Sequence, residues 1–147
     1  MIQNYQDAKA KFGRPSLFVT FTCNPNWREI KENMHINILN PQDRPELIAR
    51  VFQLKMMEFF KDVEESKIFG KVIAFVYVTE FQKRGLPHMH CLLFLSEKDK
   101  LRNPDDIDKL ICAELPEENT RLFDVVMSTM IHGPCGNCNP NSPCMLD

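Results

Sequence analysis

KVIAFVYVTEFQKRGLPHMHCLLFL, running from Lys71 to Leu95, is two apolar runs joined by a short polar turn. Each almost unbroken apolar run, of strand length and bounded by the turn, predicts a strand. Gln82-Lys83-Arg84-Gly85-Leu86 is the turn, and Pro87 suits the first residue of the second strand, where a missing N–H does least harm. By strand parity Val72, Ala74, Val76, Val78 and Glu80 share one face, and Ile73, Phe75, Tyr77, Thr79 and Phe81 share the other. His88 and His90 stand one residue apart, so both imidazoles point to one face, which Leu92 and Phe94 continue as apolar surface. That face is therefore expected to open at one end only. The hairpin brings the Glu80 carboxylate near the start of the second strand, with Gln82, of the same parity, in reserve as third ligand. Two nitrogens and one oxygen then converge on one cation. Three protein ligands leave positions open on an octahedral ion such as Mg²⁺ or Mn²⁺, where phosphate oxygens can bind, so the pattern reads as catalytic rather than structural. The alternative is a pair of hydrogen-bonded histidines on a half-buried strand.

Working outward, residues 2 to 12 predict a short helix broken at Gly13 and Pro15, and Ser16 to Thr22 a further strand. Asn24 is expected to cap a helix from Pro25 to about Asn33, with Trp27 packed inward. After a loop to Gln42, a long helix from about Arg44 to Ser66 carries Leu47, Ile48, Val51, Phe52, Met56, Phe59, Phe60 and Val63 on one broad face. It should cover the side of the sheet away from the metal. Asn103-Pro104-Asp105-Asp106 begins a short helix. Leu110 to Leu115 is read as a strand, or else as the end of that helix. Pro116 to Ile131 predicts a last helix with Leu122, Val125, Val126 and Met130 inward, stopped by Gly133 and Pro134. The expected class is α+β: an antiparallel sheet with a central His-x-His hairpin and helices packed on it.

At 147 residues with 44% hydrophobic content, one domain with its own core is the expectation. No run approaches a membrane span, and the polar N-terminus does not resemble a signal peptide, so the chain is expected to be intracellular and soluble. Six cysteines in such a chain suggest thiols or metal ligands. Eighteen Lys plus Arg against twenty Asp plus Glu leave a net charge of −2, so any contact with DNA must rest on local charge. Lys83 and Arg84 beside the metal site are the nearest bases, with Asn24 and Asn26 as polar candidates. Lys9, Lys11 and Arg14 are a second basic group. No Gly-x-x-x-x-Gly-Lys-Ser/Thr phosphate loop occurs, which excludes ATP hydrolysis by that route.

Three blocks resemble the Helitron helicase-like domain, the replication-initiator-like part of Helitron rolling-circle transposons. They are Phe18-Val19-Thr20-Phe21-Thr22-Cys23-Asn24-Pro25-Asn26-Trp27, Glu80 to His90, and Met130-Ile131-His132-Gly133-Pro134-Cys135-Gly136 with Ser142-Pro143-Cys144-Met145. The resemblance implies an HUH endonuclease, in which a His-hydrophobic-His metal site positions a DNA phosphate for attack by a tyrosine. It assigns His88 and His90 as metal ligands and supports Glu80 as the third. It further implies single-stranded DNA as partner, a helicase domain downstream and a nuclear location. The family's paired tyrosines are expected beyond the Ser-Pro-Cys-Met block. Tyr5 and Tyr77 are the tyrosines of this chain, and Tyr77 lies on the strand face opposite Glu80. Nicking by the chain itself is therefore not expected.

His132, Cys135, Cys138 and Cys144 have the spacing H-x2-C-x2-C-x5-C, which suits a structural zinc in a loop rich in Gly, Pro and Asn. The alternative is an unliganded loop. Cys23, Cys91 and Cys112 are expected to be buried thiols. Residues 1–131 are read as the initiator domain and 132–147 as a Cys/His-rich segment. Three functions remain in play: the metal-binding part of a rolling-circle initiator, a non-catalytic DNA-binding or host-adapted module with the same fold, and a hydrolase that activates a bound water.

Overall fold

A computed structural model describes residues 5–34, 40–81, 85–131, 133–142 and 145. The chain divides into two compact units, Met1–Ile107 and Asp108–Asp147. The division read from the sequence at 131/132 stays a proposal about function.

The first unit is built on an antiparallel sheet of β1 (Leu17–Thr22), β2 (Val72–Phe81) and β3 (Pro87–Leu95), in the order β1-β3-β2. The α+β class is therefore as expected. The central strand β3 pairs on both sides. Its odd-numbered residues Pro87, Met89, Cys91, Leu93 and Leu95 are all buried. Each large apolar side chain removed from water there contributes about 1.5–3 kcal/mol. Pro87 opens the strand as predicted; its carbonyl accepts from Cys23 N at 3.0 Å, so only the missing donor is lost.

The buried face is covered by α3 (Pro45–Lys61), whose Ile48, Val51, Phe52 and Met56 are buried at helical spacing. Pro45 takes the first position, where its lacking N–H is free of cost. Ring centroids of Phe21 lie 5.6 Å from both Phe52 and Phe59, and Phe60 stacks on Phe75 at 4.5 Å. Those contacts place α3 on the side opposite Glu80, as its sequence stripe required. The helix runs on through one π turn, Asp62–Ser66, and closes at Lys67 with φ +52°. On the opposite face, α1 (Tyr5–Phe12) buries Ala8 and brings Phe12 to 6.1 Å from Phe94. The histidine face is thus closed at its Phe94 end and open at the other.

Gly70, just before β2, has φ +90°, and a Cβ there would stand 2.8 Å from the Cβ of Asp99. Asp99 cannot easily give way: its Oδ2 accepts from Lys71 N at 3.2 Å and from the Ser96 hydroxyl. Those bonds hold its carboxyl below the usual carboxylate range, the Ser96 hydroxyl most of all. Gly70→Ala is expected to cost roughly 1–3 kcal/mol in urea unfolding. Gly13→Ala, with φ +81° but open space around it, should cost less. Equal losses would show that the contact with Asp99 is immaterial.

Five expectations need correction. Asn24 does not cap a helix: its Oδ1 accepts from Asn26 N at 2.8 Å in a tight Asx turn, and α2 (Arg28–Glu32) starts later, without a side-chain cap at Trp27. The helix from Pro25 is pre-empted because the Asn side chain bonds its own backbone. Leu110 to Leu115 is not a strand. The residue Leu110 ends α4 (Pro104–Leu110), and Cys112 Sγ donates back to Asp108 O at 2.9 Å, satisfying one of the helix's last carbonyls. Cys112 is accordingly exposed rather than buried. Finally, α5 (Arg121–Thr129) begins at a Thr120 cap, whose Oγ1 accepts from Phe123 N at 3.1 Å, instead of at Pro116. Its stripe does not face inward: Leu122, Val125 and Met130 are exposed and Val126 is half-buried.

Candidate metal centre

The register of the sheet decides what meets what. Glu80 pairs with His88 across β2 and β3, and Val78 with His90; on the other side Thr22 pairs with His88 and Thr20 with His90. Side chains of matching parity therefore gather on one face, the one α3 leaves uncovered: Phe18, Thr20 and Thr22 from β1, His88 and His90 from β3, Val78 and Glu80 from β2.

Glu80 reaches diagonally across the pair. Its Oε1 lies 3.0 Å from His90 Nε2, a contact within the range of cross-strand neighbours two residues off register. The His88 ring stands edge-on to that of His90, centroids 4.6 Å apart. Phe18 stacks nearly parallel on the other side of His90, at 5.5 Å and 6°. Thr22 Oγ1 lies 2.6 Å from His88 Nδ1. His90 Nδ1 is buried without a hydrogen-bond partner.

Among the described residues, no three His, Cys, Asp or Glu groups are already gathered as a metal-holding cluster. What stands here is a Glu80–His90 pair with the His88 ring beside it. That donor set nonetheless fits a divalent ion. Two ligands at right angles on an ion with bonds of about 2.1 Å are about 3.0 Å apart, which is the Glu80–His90 separation. Mixed imidazole and carboxylate donors suit Mn²⁺ better than Mg²⁺, which demands oxygen. The orphaned Nδ1 of His90 also marks a ring whose polar atoms are not satisfied by protein alone.

Other sequence candidates fall differently. Gln82, Lys83 and Arg84 lie outside the described residues, so neither the reserve ligand nor the two bases can be placed. Asn24 is spent on its turn, while Asn26 is exposed. Cys135 precedes and Cys138 ends a short 3₁₀ turn (Gly136–Cys138), and both are exposed; His132 and Cys144 lie outside the described residues, so the zinc set cannot be placed as a whole. Cys23 and Cys91 are buried as expected, and burial pushes their thiols up to about 11 and about 12. Tyr77 is exposed on the face opposite the histidines, with the Phe60 and Phe75 ring centroids 5.0 and 6.3 Å away. The two contacts the sequence reading missed are Thr22 on His88 and Phe18 on His90. Their shared parity with Thr20 was a signal, but the strand that receives β1 was not.

An antiparallel sheet that presents paired imidazoles and a carboxylate on an open face defines a class of α+β proteins with a candidate cation site. Residues 1–93, which contain β1, β2 and all but the last two residues of β3 together with Thr22, Glu80, His88 and His90, match the family described as the Helitron helicase-like domain at N-terminus. The chain belongs to that family. Comparison with curated proteins gave no significant match. No helix among the described residues is long and apolar enough to cross a membrane.

Proposed function

We propose that this chain is the metal-binding part of a Helitron-type rolling-circle initiator, with an HUH-endonuclease-like fold that acts on single-stranded DNA. The observation that carries the reading is the convergence of Glu80, His90 and His88 on the uncovered sheet face, within the family-matched segment. His88, His90 and Glu80 would hold one Mn²⁺ or Mg²⁺. A bound ion of this kind polarises a phosphate oxygen as a Lewis acid. The protein supplies the rest: two strands hold the ligands in register, and the open end of the face gives a DNA backbone access. Lys83 and Arg84, three and four residues after Glu80 in sequence, are the basic residues that would favour a phosphate backbone. A DNA-processing role of this kind belongs in the nucleus, in a longer protein that carries a helicase.

Binding without cleavage is the reading favoured for the chain by itself. Tyr77 stands on the sheet face opposite the histidines, beside Phe60 of α3, so it does not align with a phosphate held by them. Without alignment of the Tyr77 oxygen, that residue cannot supply a proximity contribution of roughly 7–11 kcal/mol to the barrier.

The test is fluorescence anisotropy on labelled single-stranded DNA with and without Mn²⁺, followed by a denaturing gel. Mn²⁺ should tighten binding, added salt should weaken it, and no covalent adduct should form. Affinity that ignores Mn²⁺ would count against the metal reading. An adduct abolished in Tyr77→Phe would overturn the exclusion of Tyr77.

A further inference from the structure

The Thr22 hydroxyl meets His88 on the same sheet face, from the neighbouring strand β1. Cys23 N bonds Pro87 O, so the next pair along, Thr22 with His88, falls at the non-hydrogen-bonded position, where facing side chains approach most closely. The resulting 2.6 Å between Thr22 Oγ1 and His88 Nδ1 is a short hydrogen bond. It involves one ring nitrogen only. Thr22 is exposed, so its own hydroxyl proton is free to point to water while Oγ1 accepts.

We propose that Thr22 is a positioning residue that fixes the ring orientation and tautomer of His88, holding the proton on Nδ1 and leaving the Nε2 lone pair for a cation. This rests on the metal-centre reading above. The logic is general: a ligating imidazole is oriented by the acceptor that binds its other N–H, and loss of that acceptor typically lowers metal affinity 10–100-fold. Here the acceptor is a hydroxyl from a different strand, so β1 helps build the site without contributing a ligand. The two histidines are held by different means. His90 has Glu80 on Nε2 and the Phe18 ring against its face, whereas His88 has Thr22 on Nδ1.

The experiment separates this role from the metal itself. Nitrogen-15 NMR of the metal-free protein at about pH 8.5, where ordinary imidazoles are neutral, reads which His88 nitrogen carries the proton. Wild type and Thr22→Ser should show Nδ1–H; Thr22→Val, which keeps the shape and removes the hydroxyl, should revert to the Nε2–H form. In calorimetry Thr22→Val should bind Mn²⁺ about 10–100-fold more weakly, and Thr22→Ser close to wild type. Nε2–H in the wild type would overturn the proposal, as would unchanged Mn²⁺ affinity in a folded Thr22→Val. A merely structural threonine would move the melting temperature and leave the tautomer alone. If wild type binds no Mn²⁺, the metal reading fails, while the tautomers of wild type and Thr22→Val still decide whether Thr22 sets His88.

Discussion

His88→Ala and His90→Ala are each expected to abolish measurable Mn²⁺ binding, the largest functional effect in the molecule. Each removes one of three donors, and two remaining ligands on an open face hold a hydrated divalent ion weakly. Neither residue is part of the buried layer: both rings are half-buried on the face that α3 does not touch. Both variants should therefore remain folded, which keeps the binding result interpretable. Glu80→Ala should weaken binding strongly and also free His90 Nε2. Gln82→Ala should leave it nearly unchanged. The reverse order for these two would move the third ligand from Glu80 to Gln82, and undiminished affinity in both histidine variants would remove the site altogether.

On the other face of the same strand, Leu93→Ala is expected to cost about 2–5 kcal/mol in urea unfolding, the largest stability effect of a single substitution here. Leu93 is fully buried in the central strand, opposite Leu17 on one side and Phe75 on the other. Phe75 is itself stacked under Phe60, so the rings around the gap cannot readily collapse into it. A fall in melting temperature on the order of 10 °C should accompany the loss. A cost below about 1 kcal/mol would mean that the sheet and α3 are not packed as described.

The contrast between His88 or His90 and Leu93 follows from a period of two along one strand, and that much was legible in the residues. Strand parity in Lys71 to Leu95 placed Glu80 and the histidines together and set Tyr77 apart from them. The stripe on α3 likewise declared which face it would cover. The position of β1 was not legible, because nothing local in Leu17 to Thr22 says whether it joins β2 or β3. Strand pairing is a long-range choice, and the contacts of Thr22 and Phe18 with the histidines depend wholly on it. Leu110 to Leu115 failed for a related reason: an apolar run becomes a strand only where a partner receives it, and here a thiol bonded back to the preceding helix instead. The stripe of α5 was read correctly as a helix face, but a helical period does not specify what, if anything, packs against it.

The metal centre is tested most directly by anomalous diffraction at the manganese edge from crystals equilibrated with Mn²⁺. The account predicts one strong peak on the open face of the sheet, bounded by His88, His90 and Glu80. An ordered Mn²⁺ bound elsewhere on the molecule, with no peak beside these three residues, would contradict it.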